Sequence, residues 1–404
     1  MSVIKNTGYS YNDVTIIPAE ISDIKSRKEC NVFIEDEKCN NVLPIFTAPM
    51  STIVNEDNIS IFKNNGIIPI LPRNVGVDPQ NENVRFDTII NYLEGKDIWV
   101  AVSLKEFTTI FASDELPEEL RDIEENHTFK VCIDLANGHM KYLYEVINKA
   151  KELSRERKYN LIIMTGNIAN PDTYEWICKN AEVDYIRLNI GSGSNCITAS
   201  NTSIYMPTAT LINECRNIKV NVEHNINRYK SFPKLIADGG IRNYSDVIKA
   251  LALGADYVMI GGLFTAMLES AGDMTVESYN SHYNYHTNNG WINDGVQNVL
   301  YYWDLFNEDK KREFIKDMKS ITKESYGMST KKAQKLFNPN AKSKTSEGCT
   351  KYIPVKYTVK QWTDNMIDYL KSAMSYTNKR DITDFIGNVT LILNSPYAVA
   401  SVNK

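Results

Sequence analysis

Short apolar runs recur along the first two thirds of the chain, each closed by small or polar residues. They are Pro44–Met50, Gly66–Leu71, Ile98–Ser103, Phe129–Ala136, Leu161–Asn167, Tyr185–Gly191, Lys234–Gly239 and Tyr257–Gly262. Runs this short and apolar throughout fit strands buried on both faces, as in a parallel sheet. Most intervals carry helical patterning, for example His139–Arg157, Pro171–Ala181 and Tyr244–Leu253. Eight strand–helix units predict an α/β chain closed into a (β/α)8 TIM barrel, with an open doubly wound sheet as the alternative. In a barrel the working residues stand just past the strand C-termini. Collected there are Pro49-Met50, Asp134, Gly166-Asn167, Gly191–Cys196, Asp238-Gly239-Gly240 and Gly261-Gly262.

Two segments break this rhythm. Asp273–Ser320 is dense in Tyr, Trp, Asn and His and holds one amphipathic helix pattern, Lys310–Lys319. Its Tyr279–Trp303 cluster reads equally as an oligomer contact, an added lid or a self-packed subdomain. Lys323–Tyr357 is polar, carries Gly327, Pro339 and Gly348, and reads as a long loop or flap; long patternless loops are often functional. Residues 358–404 read as a helix and a mixed tail. The expected organisation is one catalytic domain over residues 1–404: a barrel core over 40–272, an insertion over 273–320, a flap over 323–357 and the C-terminal part.

Charge and cysteine usage narrow the chemistry. A net charge of -5 gives no general attraction for nucleic acid. The seven cysteines (30, 39, 132, 178, 196, 215 and 349) are scattered with no CxxC pair, so neither a zinc site nor a disulfide framework is indicated. Reduced thiols in the cytoplasm are expected. No apolar run approaches the roughly 18 residues of a membrane span, and the N-terminus lacks an apolar signal core. His282 and His286 share i,i+4 spacing, yet zinc would need further ligands; an exposed polar segment is the expectation. His139, at a helix start, reads as structural.

Cys196 lies at the end of a Gly/Ser loop, Gly191-Ser-Gly-Ser-Asn-Cys196, into which an apolar strand opens. Such a loop offers several backbone N–H groups to a phosphate, and a thiolate can attack an electron-poor carbon without a metal. The plain alternative is a tight turn with an inert, buried Cys. Asp238, followed by two glycines, suits two ribose hydroxyls with backbone close to a phosphate; the plain alternative is a helix-capping Asp. Gly261-Gly262 precedes a helical pattern and suits a phosphate as well. Two adjacent strand ends of this kind resemble the phosphate cup of many barrels.

These residues resemble the family of IMP dehydrogenase and GMP reductase. The family's loop Gly-x-Gly-Pro-Gly-Ser-x-Cys-x-Thr is matched by Asn189-Ile-Gly-Ser-Gly-Ser-Asn-Cys-Ile-Thr198. Further matches are Tyr11-Asn-Asp-Val14, Lys25-Ser-Arg27, Pro44–Met50, Asp134-Leu-Ala-Asn-Gly138, Gly166-Asn167, Ala237-Asp-Gly-Gly240, Val258-Met-Ile-Gly-Gly262, Tyr326-Gly-Met-Ser329 and Ser346-Glu-Gly348. The likeness covers nearly the whole chain except Asp273–Ser320.

The family's two chemistries share a bond between the cysteine sulfur and purine C2. A dehydrogenase oxidises IMP with NAD and hydrolyses the adduct, using an Arg-Tyr pair on a flap. A reductase releases the 2-amino group of GMP as ammonia and uses NADPH. Here Lys335–Glu347 holds no Arg, and Tyr326-Gly-Met-Ser-Thr330 resembles the reductase form. The second and third strands are too close for the regulatory (CBS) domain pair that dehydrogenases commonly insert. The resemblance therefore implies a divergent GMP reductase. An IMP dehydrogenase and a non-catalytic purine-nucleotide-binding homologue remain as alternatives.

The resemblance also implies roles. Cys196 would attack C2, with Thr198 and Glu347 as the proton-transfer pair. Ser194, Gly239, Gly240, Gly261, Gly262 and Tyr326 would hold the phosphate, and Asp238 the ribose. Met50, Gly327, Met328, Ser329, Lys344, Ser346 and Gly348 would complete the substrate site around the purine. Asp134, Leu135, Ala136, Arg73, Ser372 and Ser375 would meet NADPH (or NAD), with Ser26 and Arg27 of a neighbouring subunit at its adenosine end. Carbonyls of Gly191, Gly193 and Cys196 would ligate K⁺. The implied assembly is a homotetramer. Cys349 is expected to be a bystander. Departures from the pattern are Ala199 for Arg, Ser51 for Asp, Lys344 for a flap Arg, and Asn189 and Ser192 for a Gly and a Pro. They point to a shifted substrate: a modified purine nucleotide, a deoxynucleotide or another 2-aminopurine.

Overall fold

Each of the eight apolar runs becomes a parallel strand. The computed structural model describes residues 7–36, 40–78, 82–95, 97–115, 117, 120, 125–193, 195–276, 321–327, 330–337, 348–395 and 398. The strands are β1 (Ile45–Thr47), β2 (Ile70–Leu71), β3 (Trp99–Val102), β4 (Thr128–Ile133), β5 (Asn160–Ile168), β6 (Tyr185–Leu188), β7 (Lys234–Asp238) and β8 (Tyr257–Ile260). Neighbours follow chain order from β2 to β8, and β8 pairs with β1. The Thr47 amide donates to the Ile68 carbonyl at 3.0 Å and the Ile68 amide to that of Ile45 at 2.9 Å. This bridge just before β2 closes the ring, so the barrel holds and the open sheet does not.

The helices set around the barrel include α1 (Ile59–Asn64), α2 (Glu82–Gly95), α3 (Leu104–Phe111), α4 (Lys141–Glu156), α5 (Pro171–Asn180), α6 (Thr208–Glu223), α7 (Tyr244–Ala252) and α8 (Val359–Tyr376). Local chemistry starts several of them. Ser103 accepts the Glu106 amide at 3.2 Å while the Glu106 carboxylate accepts that of Ser103 at 2.6 Å, a reciprocal cap for α3. Pro171 opens α5, and Asn170 accepts the Asp172 amide at 3.0 Å. The last helix of the ring, α8, is delivered from far down the chain. Its Trp362 stacks on Tyr244 of α7 and meets Phe264 edge-on, ring centres 5.4 and 4.9 Å apart.

The barrel interior is layered by residue type. Phe46, Trp99, Tyr185 and Tyr257 come from β1, β3, β6 and β8, and their rings meet with centres 5.1–6.0 Å apart. Strands β3 and β6 are not neighbours, so these rings pack across the lumen. Lys234 Nζ lies 5.4 and 5.5 Å from the Tyr185 and Tyr257 ring centres. Side chains two apart on a strand share a face. Arg187 therefore follows Tyr185 into the lumen one layer up, and Asp238 stands on the same face of β7 as Lys234. The apolar layer is thus plugged, and the next layer is charged.

The flap departs from the loop that its composition suggests. Ile321–Ser325 is a strand, paired with Met274–Val276 on one side and Lys351–Pro354 on the other, and Lys331–Phe337 is a helix. The polar reading failed because Lys323, Glu324 and Ser325 are buried despite their chemistry. The C-terminal tail adds Leu391–Leu393, antiparallel to Val14–Ile16. The Lys310–Lys319 helix and the Tyr279–Trp303 cluster lie outside the described residues.

The flap strand brings Lys323 to Glu269, both under a tenth exposed. Lys323 Nζ donates to the Ser270 carbonyl at 2.8 Å, and Glu269 Oε2 accepts the Val359 amide at 2.9 Å at the start of α8. Burial pushes the Glu269 carboxyl up to about 7 and the Lys323 ammonium down to about 8. Between about 4.5 and 7 the native protein therefore binds the Glu269 proton more tightly than the unfolded chain, so this group's contribution to stability falls as pH rises. Glu269→Gln is expected to remove a loss on the order of 3 kcal/mol. Urea unfolding of both proteins at about pH 5 and about pH 7.5 checks this; parallel pH dependences would refute it.

Candidate active site

A cavity of about 920 Å³ opens at the C-terminal ends of the strands. Its floor is the charged layer above the aromatic plug. Arg187 Nη1 donates to Asp134 Oδ1 at 2.7 Å, its Nε donates to Asp238 Oδ2 at 2.9 Å, and its Nη2 forms an ion pair with that same oxygen at 2.9 Å. A buried cation must be paired or it is prohibitively costly. Burial alone would lower the guanidinium's pKa; the Asp238 carboxylate, the Cys132 sulfur and the Asp134 carboxylate reverse this and hold it above its ordinary value. Asn167 Nδ2 also donates to Asp238 Oδ2, at 2.7 Å. The other oxygen, Oδ1, accepts no hydrogen bond among the described residues, which leaves an acceptor at the cavity wall for a hydroxyl.

The cysteine loop wraps over this layer. Asn189 leaves β6 at φ +104°, with its amide donating to Ile168 at 2.7 Å and its Nδ2 to Thr208 Oγ1 at 2.6 Å. Gly191 has φ +80°, and a Cβ there would lie 2.6 Å from the Ala199 Cβ. Gly239 has φ +100°, and a Cβ there would lie 2.5 Å from Ser192 Oγ, so the turn after β7 touches the loop only because glycine is present. The Cys196 amide donates to the Gly193 carbonyl at 2.9 Å, and its thiol donates to Thr198 Oγ1 at 3.2 Å. Cys196 is partly exposed in the cavity. Cys132, Cys178 and Cys215 are buried, and burial pushes the first two thiols up to about 12 and the third higher still. Exposure thus separates Cys196 from these three inert sulfurs; Cys349 is likewise partly exposed but does not line the cavity.

Most of the expected site residues meet in this cavity. Met50, Arg73, Asp134, Leu135, Ala136, Gly191, Gly193, Cys196, Asp238, Gly239, Gly240, Gly261, Gly262 and Gly327 line it. Arg73 Nη1 donates to the Asp134 carbonyl at 3.3 Å. Thr198 touches Cys196 as above, and Gly348 forms an antiparallel bridge with Cys196. Tyr326 is buried, with Lys332 Nζ 5.0 Å from its ring centre. Ser26, Arg27, Ser372 and Ser375 do not line the cavity of their own chain. They gather where Arg27 Nη1 donates to Ser372 Oγ at 3.3 Å on α8, with Ser26 capping the adjoining turn. Ser194, Met328, Ser329, Lys344, Ser346 and Glu347 lie outside the described residues, as do His282 and His286.

His139 is structural: Nδ1 lies 2.9 Å from Thr173 Oγ1, Nε2 accepts the Ala169 amide at 3.1 Å, and burial lowers its pKa. Sequence reasoning overlooked Arg187, Asn195, Tyr205, Thr208, Arg242, Asp246 and Lys351, all of which line the cavity. Arg187 had a signal, a charge two residues after Tyr185 within an apolar run. The others had none. Among the described residues no cluster of three or more His, Cys, Asp or Glu side chains could hold a metal, and no helix is long and apolar enough to cross a membrane.

Two outcomes follow from this geometry. Iodoacetamide is expected to modify Cys196 at least about 10-fold faster than Cys132, Cys178 or Cys215, as read by peptide mass spectrometry; equal rates would contradict the exposure argument. Arg187→Met leaves two half-buried carboxylates without their cation and is expected to cost roughly 3 kcal/mol in urea unfolding. A loss under about 1 kcal/mol would mean that the guanidinium is not what pairs them.

A family model described as the IMP dehydrogenase / GMP reductase domain matches residues 8–297. A GMP reductase of Onchocerca volvulus is 25% identical over 406 residues, spanning 97% of this chain and 94% of its own. A GMP reductase of Staphylococcus carnosus is 30% identical over 275 residues, 67% of this chain and 74% of its own. One from Helicobacter pylori is 28% identical over 273 residues, 67% and 75% of the two chains. With a family model spanning far more than half of its residues and the cysteine loop set at the mouth of the barrel, the chain belongs to the IMP dehydrogenase / GMP reductase family.

Proposed function

We propose that this chain is a purine-nucleotide oxidoreductase that reductively deaminates GMP, or a related guanine nucleotide, to IMP and ammonia. The observation that carries the reading is the accessible Cys196 thiol beside Thr198, in the same cavity as the Asp238 carboxylate and the paired glycines of β7 and β8. The names of the relatives support the same chemistry over a dehydrogenase.

In this reading the glycines at 239–240 and 261–262 let backbone approach the phosphate, and Asp238 Oδ1 accepts a sugar hydroxyl. The purine then lies over Cys196. The sulfur forms a bond to C2 as the bond from C2 to the amino nitrogen breaks, and the nitrogen leaves as ammonia after taking a proton. In this reading Thr198, 3.2 Å from the sulfur, would relay that proton with Glu347 as its partner. No water need enter, in keeping with a flap sequence that lacks the dehydrogenase Arg-Tyr pair. The cavity runs from Cys196 to Asp134, Leu135, Ala136 and Arg73, which fits a nicotinamide cofactor next to the thiol and a cation for its phosphates. NADPH, when bound, would supply the hydride that C2 takes as its bond to sulfur breaks, which frees IMP and restores the Cys196 thiolate.

The reading extends to a single catalytic domain acting as a cytoplasmic homotetramer. There the Ser26, Arg27, Ser372 and Ser375 group would face the cofactor of a neighbouring subunit, and Gly191, Gly193 and Cys196 carbonyls would hold K⁺. The loop departures favour a guanine nucleotide other than GMP itself as the best substrate.

Purified protein with NADPH and GMP in K⁺ buffer should lose the near-ultraviolet absorbance of NADPH. Cys196→Ala should lower that rate on the order of 1000-fold or more. A gain of the same absorbance with IMP and NAD, and none of the loss with guanine nucleotides, would establish the dehydrogenase instead.

A further inference from the structure

Asn195 immediately precedes Cys196 and is buried. Its Nδ2 donates to Ser325 Oγ at 2.7 Å, and Ser325 Oγ lies 3.2 Å from Thr265 Oγ1. Both hydroxyl residues are fully buried. Its backbone carbonyl accepts the Cys349 amide at 2.9 Å, beside the bridge between Cys196 and Gly348. Ser325 ends one flap strand, Lys351 begins the next, and the two are paired directly. One residue of the cysteine loop therefore holds both ends of the segment between Ser325 and Cys349: one through its side chain, the other through its backbone.

An amide is a costly choice for this purpose alone. Asn195 Oδ1 is buried with no hydrogen-bond partner among the described residues, and an apolar side chain of similar size would fill the space without stranding an acceptor. A directional bond is what such a side chain could not supply. Among buried groups the Asn195–Ser325–Thr265 chain has few competing arrangements, so it specifies register as well as attachment.

We propose that Asn195 is a positioning residue for the reaction. By bonding Ser325 and Cys349 it sets both flap strands in register with the cysteine loop, and with them Gly348, which bridges Cys196. The proposal rests on the reductive deamination argued above.

The test compares wild type with Asn195→Leu, Ser325→Ala and the double variant, each as the full chain. Hydrogen–deuterium exchange is followed in peptides covering 321–325 and 349–354, together with Cys196 alkylation by iodoacetamide and steady-state kinetics with guanine nucleotide and NADPH. Either single variant should raise exchange in both strands and lower kcat at least about 10-fold, with KM for the nucleotide changed less than about 3-fold. Cys196 should be alkylated no more slowly than in wild type. The double variant should resemble either single one, because both remove one bond. Ser325→Ala, the smaller change, serves if Asn195→Leu does not fold. Wild-type exchange and kcat in both single variants, or losses that multiply in the double, would overturn the proposal. If wild type does not oxidise NADPH with any guanine nucleotide, the functional reading falls on its own. The exchange and alkylation results then decide whether Asn195 holds the flap to the nucleophile.

Discussion

A guanidinium buried at the centre of the barrel constrains everything above it. Arg187 cannot sit there without anions, and the two it has are Asp134 at the end of β4 and Asp238 at the end of β7. Its own strand, β6, lies between those two in the sheet. The ion pairs therefore fix the relative heights of three strand ends across the barrel mouth. They also spend one oxygen of Asp238, which receives Arg187 and Asn167 together, and leave the other to face a ligand. A carboxylate held this way is preorganised: it needs no reorientation when a hydroxyl arrives.

The chemistry rests on the contrast between that layer and the one beneath. Four aromatic rings from β1, β3, β6 and β8 close the lumen, so nothing can pass through the barrel and a ligand has only the open face. On that face, reactivity is sorted by access. Cys132 touches Arg187, at 3.7 Å, yet its burial keeps the thiol protonated. Cys196 lies on the cavity wall, where the substrate atoms would be. A cation close by is insufficient to make a nucleophile if desolvation outweighs it.

The barrel was legible because its strands are buried on both faces, so each reads as an unbroken apolar run. The glycines at the rim were legible for a related reason: at Gly239 even one carbon would collide with Ser192, and such positions leave a mark on the sequence. What escaped notice is polar and buried. Lys323, Glu324 and Ser325 read as loop, and their strand is created by pairing with two partners distant in the chain. Arg187 vanished inside an apolar run. Asn195 carries no local pattern, since its meaning depends on Ser325, placed beside it by the flap. Pairings over long sequence separations satisfy such groups, and periodicity cannot report them.

The departures of the cysteine loop from the family pattern are mutually fitted, and this bears on whether the chain has abandoned chemistry. Asn189, in place of a glycine, keeps a positive φ, as Asn can, and its amide is anchored to Thr208. Ala199, in place of an arginine, packs its methyl so close to Gly191 that any side chain at 191 would displace it. Ser192, in place of a proline, lies against the turn that follows Asp238, with its hydroxyl 3.4 Å from the Asp238 carbonyl. A loop released from function would be free to loosen, whereas this one is closely packed at its altered positions and still presents its sulfur to the cavity. The changed contacts lie around Gly191 and the Asp238 turn, the cation and sugar–phosphate parts of the proposed site, while the Cys196–Thr198 contact is intact. That division favours a change in what is bound over a change in the reaction performed.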